Sequence, residues 1–287
     1  MDNINAASNN TLLNISDKEF KLLSGLVYER SGINLTDKKK ALLRARLNKV
    51  VKELGLNSFK EYYGYLLSDN TGDSITQLLD KISTNHSYFF RESGHFDFMT
   101  NGALQEILAN KKNENSNSIK IWCAGCATGE EPYSLAMVLK EYFNKDIINW
   151  DVRILATDIS YPALTQSQSG IYQKEKIEPI QPQYRNKYFK KRDDDKYQID
   201  ENLQKMILFK RLNLMDENYP FKGKFDIIFC RNVMIYFDKI TKDALINKFY
   251  RYLNNRGYLF IGHSESISRD TTPLKYVKPS VYKRVDV

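Results

Sequence analysis

The spacing of apolar residues along the chain changes near residue 83. Upstream, apolar side chains such as Phe20, Leu23 and Val27 recur at the spacing of an amphipathic helix. Downstream of about residue 95, short apolar runs alternate with helical patterns, beginning with a strand at 119–124 and a helix at 130–143. The pattern therefore predicts a small N-terminal helical domain followed by a larger α/β domain.

The N-terminal region carries clear signals for where helices begin. Residues Ser16 to Glu19 have the form of a capping box, in which side chains satisfy the backbone amides of the first turn. We predict that the helical domain spans 15–82, with helices at about 16–29, 37–54, 58–68 and 72–82. Residues 1–14 are rich in Asn, Ser and Ala without periodicity, which predicts a flexible tail.

The region 95–287 is predicted to form a doubly wound α/β sheet. Further strands are predicted at 152–158, 206–212, 225–230, 258–262 and 281–285. Strands that alternate with helices form a largely parallel sheet, and right-handed crossovers bring the carboxyl ends of the first strands together, where ligands bind. Near 184–208, Tyr197 and Ile199 alternate with polar residues around an acidic turn, which predicts a small antiparallel β insertion.

The turn between the first strand and its helix indicates a nucleotide-like cofactor. Gly125 and Gly129 give the backbone freedom, and their missing Cβ atoms would let a ligand approach the main chain. Glu130 and Glu131 then begin the helix, where carboxylates repel a phosphate but suit hydroxyls or a positive charge. The G-x-G-x-x-G and G-x-x-x-x-G-K-[ST] phosphate motifs are absent. The turn therefore favours S-adenosylmethionine over NAD or ATP, and a purely structural turn is the alternative.

Polar side chains follow the next strands at the same predicted edge of the sheet. Asp158 ends the second strand, where a carboxylate can accept hydrogen bonds from ribose hydroxyls. Asn213 and Asn232 follow the third and fourth strands, and their amides suit a purine edge or an amino acid group. For Asp158 alone, a structural capping role is the alternative.

The segment 83–94 links the two domains and combines polar side chains with aromatic ones. Asn85, Ser87 and Arg91 alternate with bulky residues, so the aromatic rings can pack inward while the polar groups face a cleft. Simple packing between domains is the alternative interpretation.

The net charge of +8 and the pI near 9.1 indicate an anionic partner: a nucleic acid, an anionic lipid or an acidic protein surface. Part of this charge lies on the second predicted helix, at Lys38, Arg46, Lys49 and Lys52. These residues form either an ordinary solvated face or a docking surface.

Targeting and metal signals are weak. The chain has no run of about 18 apolar residues and no apolar segment at its start, so we expect a cytoplasmic protein. Three cysteines give no disulfide framework. Cys123 and Cys126 have a zinc-like spacing, but no second pair exists and the three histidines are scattered, so no metal site is predicted.

Five segments, occurring in order, resemble the signature motifs of the CheR-type chemotaxis receptor methyltransferases. They lie at 83–92, 124–134, 156–159, 225–238 and 262–265. The resemblance implies a Rossmann-like class I methyltransferase domain that binds S-adenosylmethionine and releases S-adenosylhomocysteine. It also implies transfer of the methyl group to glutamate side-chain carboxylates in the cytoplasmic domain of methyl-accepting chemotaxis receptors.

The resemblance further implies roles for individual residues. The positions that match the family's cofactor site are Asn85, Ser87, Arg91, Glu130, Asp158, Asn213, Leu214, Asn232 and Val233, beside the turn at Gly125. Arg91 and Tyr236 match the positions nearest the transferred methyl group. Ser87 departs from the family's usual threonine but keeps the hydroxyl. The basic residues Lys38, Arg46, Lys49 and Lys52 would meet acidic residues on the receptor helices.

The tip of the β insertion separates two kinds of family member. Members that grip a pentapeptide at the receptor C-terminus have a longer, glycine-containing loop there, whereas the tip at 193–195 is short and lacks glycine. We therefore expect no pentapeptide tether.

Two other functions compete with receptor methylation. An RNA or DNA methyltransferase would suit the positive charge and the aromatic residues at 88–90. The fourth strand, however, ends in Asn232-Val-Met-Ile-Tyr236 in place of the Asn/Asp-Pro-Pro-Tyr arrangement of base amino-group methylation, so no nucleic acid partner is expected. The second competitor is a non-catalytic receptor-binding scaffold, against which the presence of Arg91, Asp158 and Tyr236 argues.

Overall fold

The computed structural model describes residues 13–268 and 272–285. Residues 1–12 of the predicted flexible tail therefore lie outside the described residues. The chain divides into two compact units, Met1–Ser83 and Thr84–Val287. No helix within the described ranges is long and apolar enough to cross a bilayer.

The described part of the first unit consists of helices. They are α1 (Asp17–Ser31), a 3-10 turn at Asp37–Lys39, α2 (Lys40–Glu53), α3 (Phe59–Ser68) and α4 (Asp73–Ile82). The predicted capping box is present, since the Ser16 hydroxyl accepts from the Glu19 amide and the Glu19 carboxylate accepts from the Ser16 amide. Gly32 ends α1 in the left-handed conformation, with φ 71°. Fully buried leucines, including Leu23, Leu47 and Leu78, join the helices in one core.

The second unit begins with helices and then alternates strands and helices. Its elements are α5 (Gly94–Phe98), a π-helical stretch at Met99–Ala103, α6 (Leu104–Asn113), β1 (Ser118–Ala124), α7 (Glu130–Phe143), a 3-10 turn at Asn144–Asn149, β2 (Asp151–Asp158), α8 (Tyr161–Ser169), β3 (Ile171–Gln173), α9 (Lys174–Ile177), α10 (Pro182–Tyr188), β4 (Phe189–Lys191), β5 (Lys196–Ile199), α11 (Glu201–Gln204), β6 (Ile207–Arg211), β7 (Phe225–Cys230), a 3-10 turn at Met234–Tyr236, α12 (Lys239–Tyr252), β8 (Leu253–Ile261), β9 (Lys275–Lys278) and β10 (Val281–Lys283).

The main sheet has the order β6-β2-β1-β7-β8-β10-β9. The first five strands in this order are parallel, while β10 runs antiparallel to both β8 and β9. The chain moves outward from β1 through β2 to β6, and then returns to place β7 and β8 on the other side. The predicted doubly wound sheet is therefore confirmed, and its topological switch point lies between β1 and β7.

Burial explains why the central strands form continuous apolar runs. Every residue of β7 is buried, because helices cover both faces of the sheet. The one acidic residue within it, Asp226, forms an ion pair with Lys111 at 2.8 Å and accepts the Lys120 amide. Phe229 stacks on Phe260 of β8 with ring centroids 4.4 Å apart. These contacts hold the strand ends in fixed positions relative to one another.

The predicted antiparallel insertion is present as a second sheet with the order β3-β5-β4. Its bounds differ from the predicted 184–208, because its first strand is β3, directly after α8. Tyr172, Phe189 and Ile199 are its buried residues, so this small sheet packs one face against the domain. A three-residue strand followed by two short helices leaves no alternating pattern, which is why the sequence did not indicate it.

Candidate cofactor and active site

The turn after β1 uses the predicted backbone freedom of both glycines, while the space beside them differs from the prediction. Gly125 and Gly129 have φ of 84° and 96°, in the region that favours glycine. A Cβ on Gly125 would lie 2.4 Å from Val233 Cγ2, and one on Gly129 would lie 2.6 Å from Ser167 Cβ. The space beside these glycines is thus filled by the protein's own side chains, and the turn is fixed by packing.

Asp158 joins the end of β2 to this turn. Its Oδ2 accepts a hydrogen bond from the Ala127 amide at 2.8 Å, and its Oδ1 accepts one from the Ser160 amide at 2.9 Å. Ala127 itself has φ 47°, so the carboxylate stabilises a backbone conformation that alanine rarely adopts. The capping alternative considered for Asp158 is therefore present. Because an ionised carboxylate offers about four acceptor positions, capping is compatible with ligand binding.

The two glutamates at the start of α7 are both paired with cations. Glu130 is fully buried, accepts hydrogen bonds from the Thr128 hydroxyl and contacts the ammonium of Lys176 on α9. Glu131 accepts from Cys123 Sγ at 2.7 Å and pairs with the guanidinium of Arg231. The carboxylates are partly neutralised by residues that are distant in sequence.

Asn213 and Leu214 follow β6 in a turn that is tied to α12. The Asn213 side-chain oxygen accepts the Met215 amide at 3.0 Å. Leu214 is buried, and its carbonyl accepts from the Tyr219 hydroxyl and from Lys248 Nζ. The turn thus holds Asn213 at the carboxyl end of the sheet, beside the end of β2.

The loop after β7 carries Asn232, Val233 and Tyr236, and a buried glutamate organises it. Glu265 accepts hydrogen bonds from the backbone amides of Asn232 at 2.9 Å and Ile235 at 3.1 Å. Asn232 has φ 60°, which these bonds stabilise. Burial raises the pKa of Glu265, although several backbone amides oppose that shift. Sequence reasoning assigned no role to Glu265, although it lies in one of the family-like segments.

The segment that carries Arg91 is attached to three elements of the domain. Asn85 donates to the Ser160 hydroxyl at 3.2 Å, and the Phe90 amide donates to the Ser134 hydroxyl at 2.9 Å. Phe89 packs inward as predicted, against Tyr172 and Phe189 at 4.9 and 5.3 Å between ring centroids, whereas Tyr88 is exposed.

Arg91 is a partly exposed residue, and its guanidinium has only neutral partners in the described ranges. It contacts the His86 carbonyl at 3.4 Å and lies over the Tyr88 ring at 5.5 Å. No ion pair joins Arg91 to a carboxylate among residues 13–268 and 272–285, whereas the nearby Arg231 pairs with two.

These contacts bring most of the predicted site residues to one edge of the sheet. Asn85, Asp158 and the β1 turn are linked through Ser160 and Ala127, and Val233 packs against Gly125. Ser87 lies in the same segment as Asn85, and Tyr236 lies in the loop that carries Val233; both residues are half buried.

Cys123 near the end of β1 and Cys126 in the turn that follows are buried thiols. Burial raises the pKa of both well above the usual value, and the Cys123 thiol donates to Glu131. A protonated thiol is a poor metal ligand. A separate group, Glu92, His95 and His263, brings potential ligand atoms within 4.8 Å of one another. Arg231 lies 3.1 Å from His95 Nδ1, so a cation already occupies that cluster.

The basic residues of the first unit differ in their surroundings. Lys38 and Lys49 are exposed, and Lys49 pairs with Glu53 at 3.6 Å along α2. Lys52 is half buried. Arg46 points to the end of α4, where it donates to the carbonyls of Ile82 and Ser83. Arg46 therefore stabilises the helix pair, whatever its part in docking.

Comparison with known proteins agrees with this architecture. Residues 85–283 match the family described as CheR methyltransferase, SAM binding domain, and residues 18–83 match the CheR methyltransferase all-alpha domain.

Similar proteins match over nearly the full chain. A chemotaxis protein methyltransferase of Borreliella burgdorferi is 47% identical, with 98% of this chain and 99% of the relative covered. A probable chemotaxis protein methyltransferase of Rhizobium etli is 35% identical over 85% of this chain and 90% of its own. The chemotaxis protein methyltransferase of Escherichia coli is also 35% identical, over 89% and 87%.

The groups at the sheet edge fit S-adenosylmethionine chemically. The cofactor presents ribose hydroxyls, a purine edge and an ammonium group. The edge offers the Asp158 carboxylate and the amides of Asn85, Asn213 and Asn232, and the fully buried Glu130 adds a negative charge that Lys176 partly neutralises. The two matched domains, the sheet topology and this set of groups lead to one conclusion: the chain belongs to the CheR methyltransferase family, whose larger domain binds S-adenosylmethionine.

Proposed function

We propose that this protein acts in the cytoplasm and transfers a methyl group to glutamate side chains of methyl-accepting chemotaxis receptors, forming glutamyl methyl esters. The observation that carries the proposal is the partly exposed Arg91, whose segment is attached to this edge and whose guanidinium has a carbonyl and a ring as its described partners. A cation in that state is suited to receive a carboxylate.

The chemistry of a carboxylate acceptor agrees with the residues that surround this edge. When bound, S-adenosylmethionine supplies an electrophilic methyl group on its sulfonium. A glutamate carboxylate is already deprotonated at neutral pH, so the protein needs no general base. The protein's contribution is orientation and partial exclusion of water, which can supply roughly 7 to 11 kcal/mol.

Arg91 and Tyr236 have the two roles nearest the reaction. Arg91 steers the incoming carboxylate, and its half-exposed setting avoids a clamp so tight that it would stabilise the ground state. Tyr236 lies on the 3-10 turn after β7, which the Glu265 bonds fix, and its hydroxyl offers a hydrogen bond to the reacting groups.

The cofactor contacts follow from the chemistry of each side chain. Asp158 accepts from ribose hydroxyls, and Glu130 attracts the ammonium group. The remaining residues are Asn85, Ser87, Arg91, Gly125, Asn213, Leu214, Asn232 and Val233, which complete the wall of the site. Amide groups hold polar edges, while Leu214 and Val233 exclude water.

Receptor recognition involves the first unit and no peptide tether. Lys38, Lys49 and Lys52 carry charge toward solvent on or beside α2, which suits acidic residues of receptor helices. Arg46 is left out of this set because it caps α4. The tip of the insertion is a compact turn without glycine, closed by an ion pair of 2.9 Å between Lys191 and Asp194.

Transfer of a labelled methyl group to purified receptor cytoplasmic fragments tests the proposal. A glutamyl methyl ester releases volatile methanol in mild alkali, whereas an N-methyl group is stable there. We expect label in the receptor fragment and its release as methanol. Label that enters RNA or DNA, or that resists alkali, would overturn the proposed function. Retained S-adenosylhomocysteine binding without transfer to any receptor fragment would favour a scaffold.

A further inference from the structure

Arg231 is a buried arginine at the end of β7, and its contacts converge on the segment that carries Arg91. Its side chain is only 2% exposed. The Nε atom pairs with Glu131 of α7, while Nη1 donates to the backbone carbonyl of Arg91 at 2.7 Å. The same nitrogen lies 3.6 Å from Glu92 Oε2 and 3.1 Å from His95 Nδ1. One guanidinium therefore joins a strand end, a helix start and the Arg91 backbone.

The backbone on both sides of Arg91 is in an unfavourable conformation. Phe90 has φ 56° and Glu92 has φ 54°, and neither is a glycine. A residue held in this region costs of order 1 to 3 kcal/mol and persists only when its surroundings determine it. The segment would therefore relax if its attachments were removed, and the direction of the Arg91 side chain would change.

The attachments beside Arg91 are few and identifiable. The Phe90 amide donates to Ser134 Oγ, and Glu92 Oε1 accepts from Asn232 Nδ2 at 3.3 Å and from the His263 amide at 3.2 Å. These bonds hold the two flanking residues. Arg231 binds the carbonyl of Arg91 itself, and it does so with a charged donor.

We propose that Arg231 is a positioning residue for methyl transfer. By holding the Arg91 carbonyl while anchored on Glu131, it maintains the left-handed backbone on either side and so aims the Arg91 guanidinium at the acceptor carboxylate. The expected effect of Arg231 on kcat rests on the proposed function, in which Arg91 contacts the acceptor carboxylate. The expected effect of Arg231 on the backbone of 86–92 is independent of that function.

A guanidinium has the geometry that this task needs. Its planar fork places Nε on Glu131 and Nη1 on the Arg91 carbonyl at the same time. A lysine ammonium is a single point that can retain the ion pair but cannot span both partners. Arg231→Lys therefore separates charge pairing from positioning.

The test compares Arg231→Lys and Arg231→Met with a matched control, Lys111→Met. Lys111 also pairs with a buried carboxylate of the β7 region, at 2.8 Å from Asp226, but it does not contact the segment 85–92 in the described contacts. Amide hydrogen exchange is measured on the full chain, and methyl transfer to receptor fragments gives kcat and KM. Each variant is also combined with Arg91→Ala.

Both Arg231 variants are expected to increase amide exchange in 86–92 by at least about tenfold while β1 and β2 stay protected. They are expected to lower kcat about 10- to 100-fold, with little change in the affinity for S-adenosylhomocysteine. In the Arg91→Ala background, Arg231→Lys should change kcat by less than about twofold, because the two residues act as one unit. Lys111→Met should alter neither 86–92 exchange nor kcat.

Unchanged exchange in 86–92 for Arg231→Lys would overturn the inference, as would an equal loss of kcat with and without Arg91. Either result would leave Arg231 as a structural ion-pair residue. If no receptor fragment accepts methyl groups at all, the proposed function fails, and the exchange measurement still decides whether Arg231 holds the segment. If Arg231→Met does not fold, Arg231→Lys decides.

Discussion

Asp158 holds the turn after β1 and is also the residue proposed to bind the ribose of the cofactor. Its two oxygens accept the amides of Ala127 and Ser160, so its loss must disturb the turn after β1. If Asp158 also binds the cofactor as proposed, a substitution at this position changes both the free energy of unfolding and the cofactor affinity. The two effects have to be measured separately.

Asp158→Asn is expected to reduce the affinity for S-adenosylhomocysteine about tenfold, because a charged acceptor is lost. It should also lower stability by about 1 to 3 kcal/mol, since one backbone amide then faces an NH₂ group. Calorimetric titration well below the melting temperature measures the first effect. Asp151→Asn, at the other end of β2, is the matched control. If a folded Asp158→Asn protein binds S-adenosylhomocysteine with unchanged affinity, Asp158 only stabilises the turn and does not bind the cofactor.

Tyr236→Phe is expected to lower kcat for methyl transfer about tenfold and to leave S-adenosylhomocysteine affinity unchanged. The reason is that the hydroxyl is proposed to contact the reacting groups, while the ring stays in place. Steady-state kinetics with a receptor fragment and a binding titration measure the two quantities. Tyr65→Phe, at an exposed position of α3, provides the control. An unaltered kcat would contradict the assignment of Tyr236.

The residues that the sequence predicted and those that it missed differ in how they act. Arg91 and Asp158 carry their chemistry at recognisable positions, a polar segment and a strand end. Arg231, Glu265 and Lys176 act through partners far away in the chain: Glu131, the Asn232 amide and Glu130. No local pattern encodes such pairs, because they exist only once the strands and helices have assembled.

At the scale of elements, α2 with its preceding 3-10 turn is the proposed contact with the receptor. Lys49→Glu together with Lys52→Glu is expected to raise KM for the receptor fragment about three- to tenfold at low salt, with a smaller effect at high salt. Lys145→Glu, an exposed charge reversal on the second unit, is the control. If charge reversal changes KM equally at low and high salt, or not at all, these lysines form an ordinary solvated face.

The turn between β4 and β5 leads to a prediction about tethering. Its acidic residues are engaged locally, with Asp194 paired to Lys191 and Asp193 accepting the Asp195 amide. We expect no calorimetric binding of a receptor C-terminal pentapeptide in the micromolar range. Titration of S-adenosylhomocysteine into the same sample shows that the protein is folded and able to bind a ligand. Micromolar peptide binding would contradict the prediction.

Some elements could be predicted and others could not, for physical reasons. Strands such as β7 are buried on both faces and form long apolar runs. By contrast, β9 is exposed along its whole length, with Lys275 and Lys278 at its ends. Lysines are typical of an edge strand that must not pair with another chain. Such a strand has no apolar alternation, so its sequence resembles that of a loop.

At the scale of the whole molecule, His95 makes stability depend on pH. The ring is 2% exposed, and burial, followed by the charge of Arg231, lowers the pKa of His95 to about 4. Glu92 opposes this shift, while His263 and Lys278 add to it. In the unfolded chain the pKa of histidine is near 6.5, so between pH 6.5 and about 4 the unfolded state binds the proton and the folded state does not. The contribution of His95 to stability is therefore expected to fall as the pH falls through that window.

The expected loss attributable to His95 is roughly 3 kcal/mol between pH 6.5 and 4. His95→Gln should therefore flatten the dependence of the melting temperature on pH in this window, whatever its effect at pH 7.5. Thermal unfolding at several pH values measures the slope. His86→Gln, at an exposed position, is the control. A slope that His95→Gln leaves unchanged would show that other groups cause the acid sensitivity.

The contact between Lys176 and Glu130 couples the insertion to the helix that begins at the cofactor edge. Thermodynamic linkage is reciprocal: a molecule that bound the insertion and withdrew Lys176 would change cofactor affinity by some factor, and the cofactor would change that molecule's affinity by the same factor. If Glu130 contacts the methyl donor as proposed, donor binding and the contact between Lys176 and Glu130 are linked, and each changes the free energy of the other.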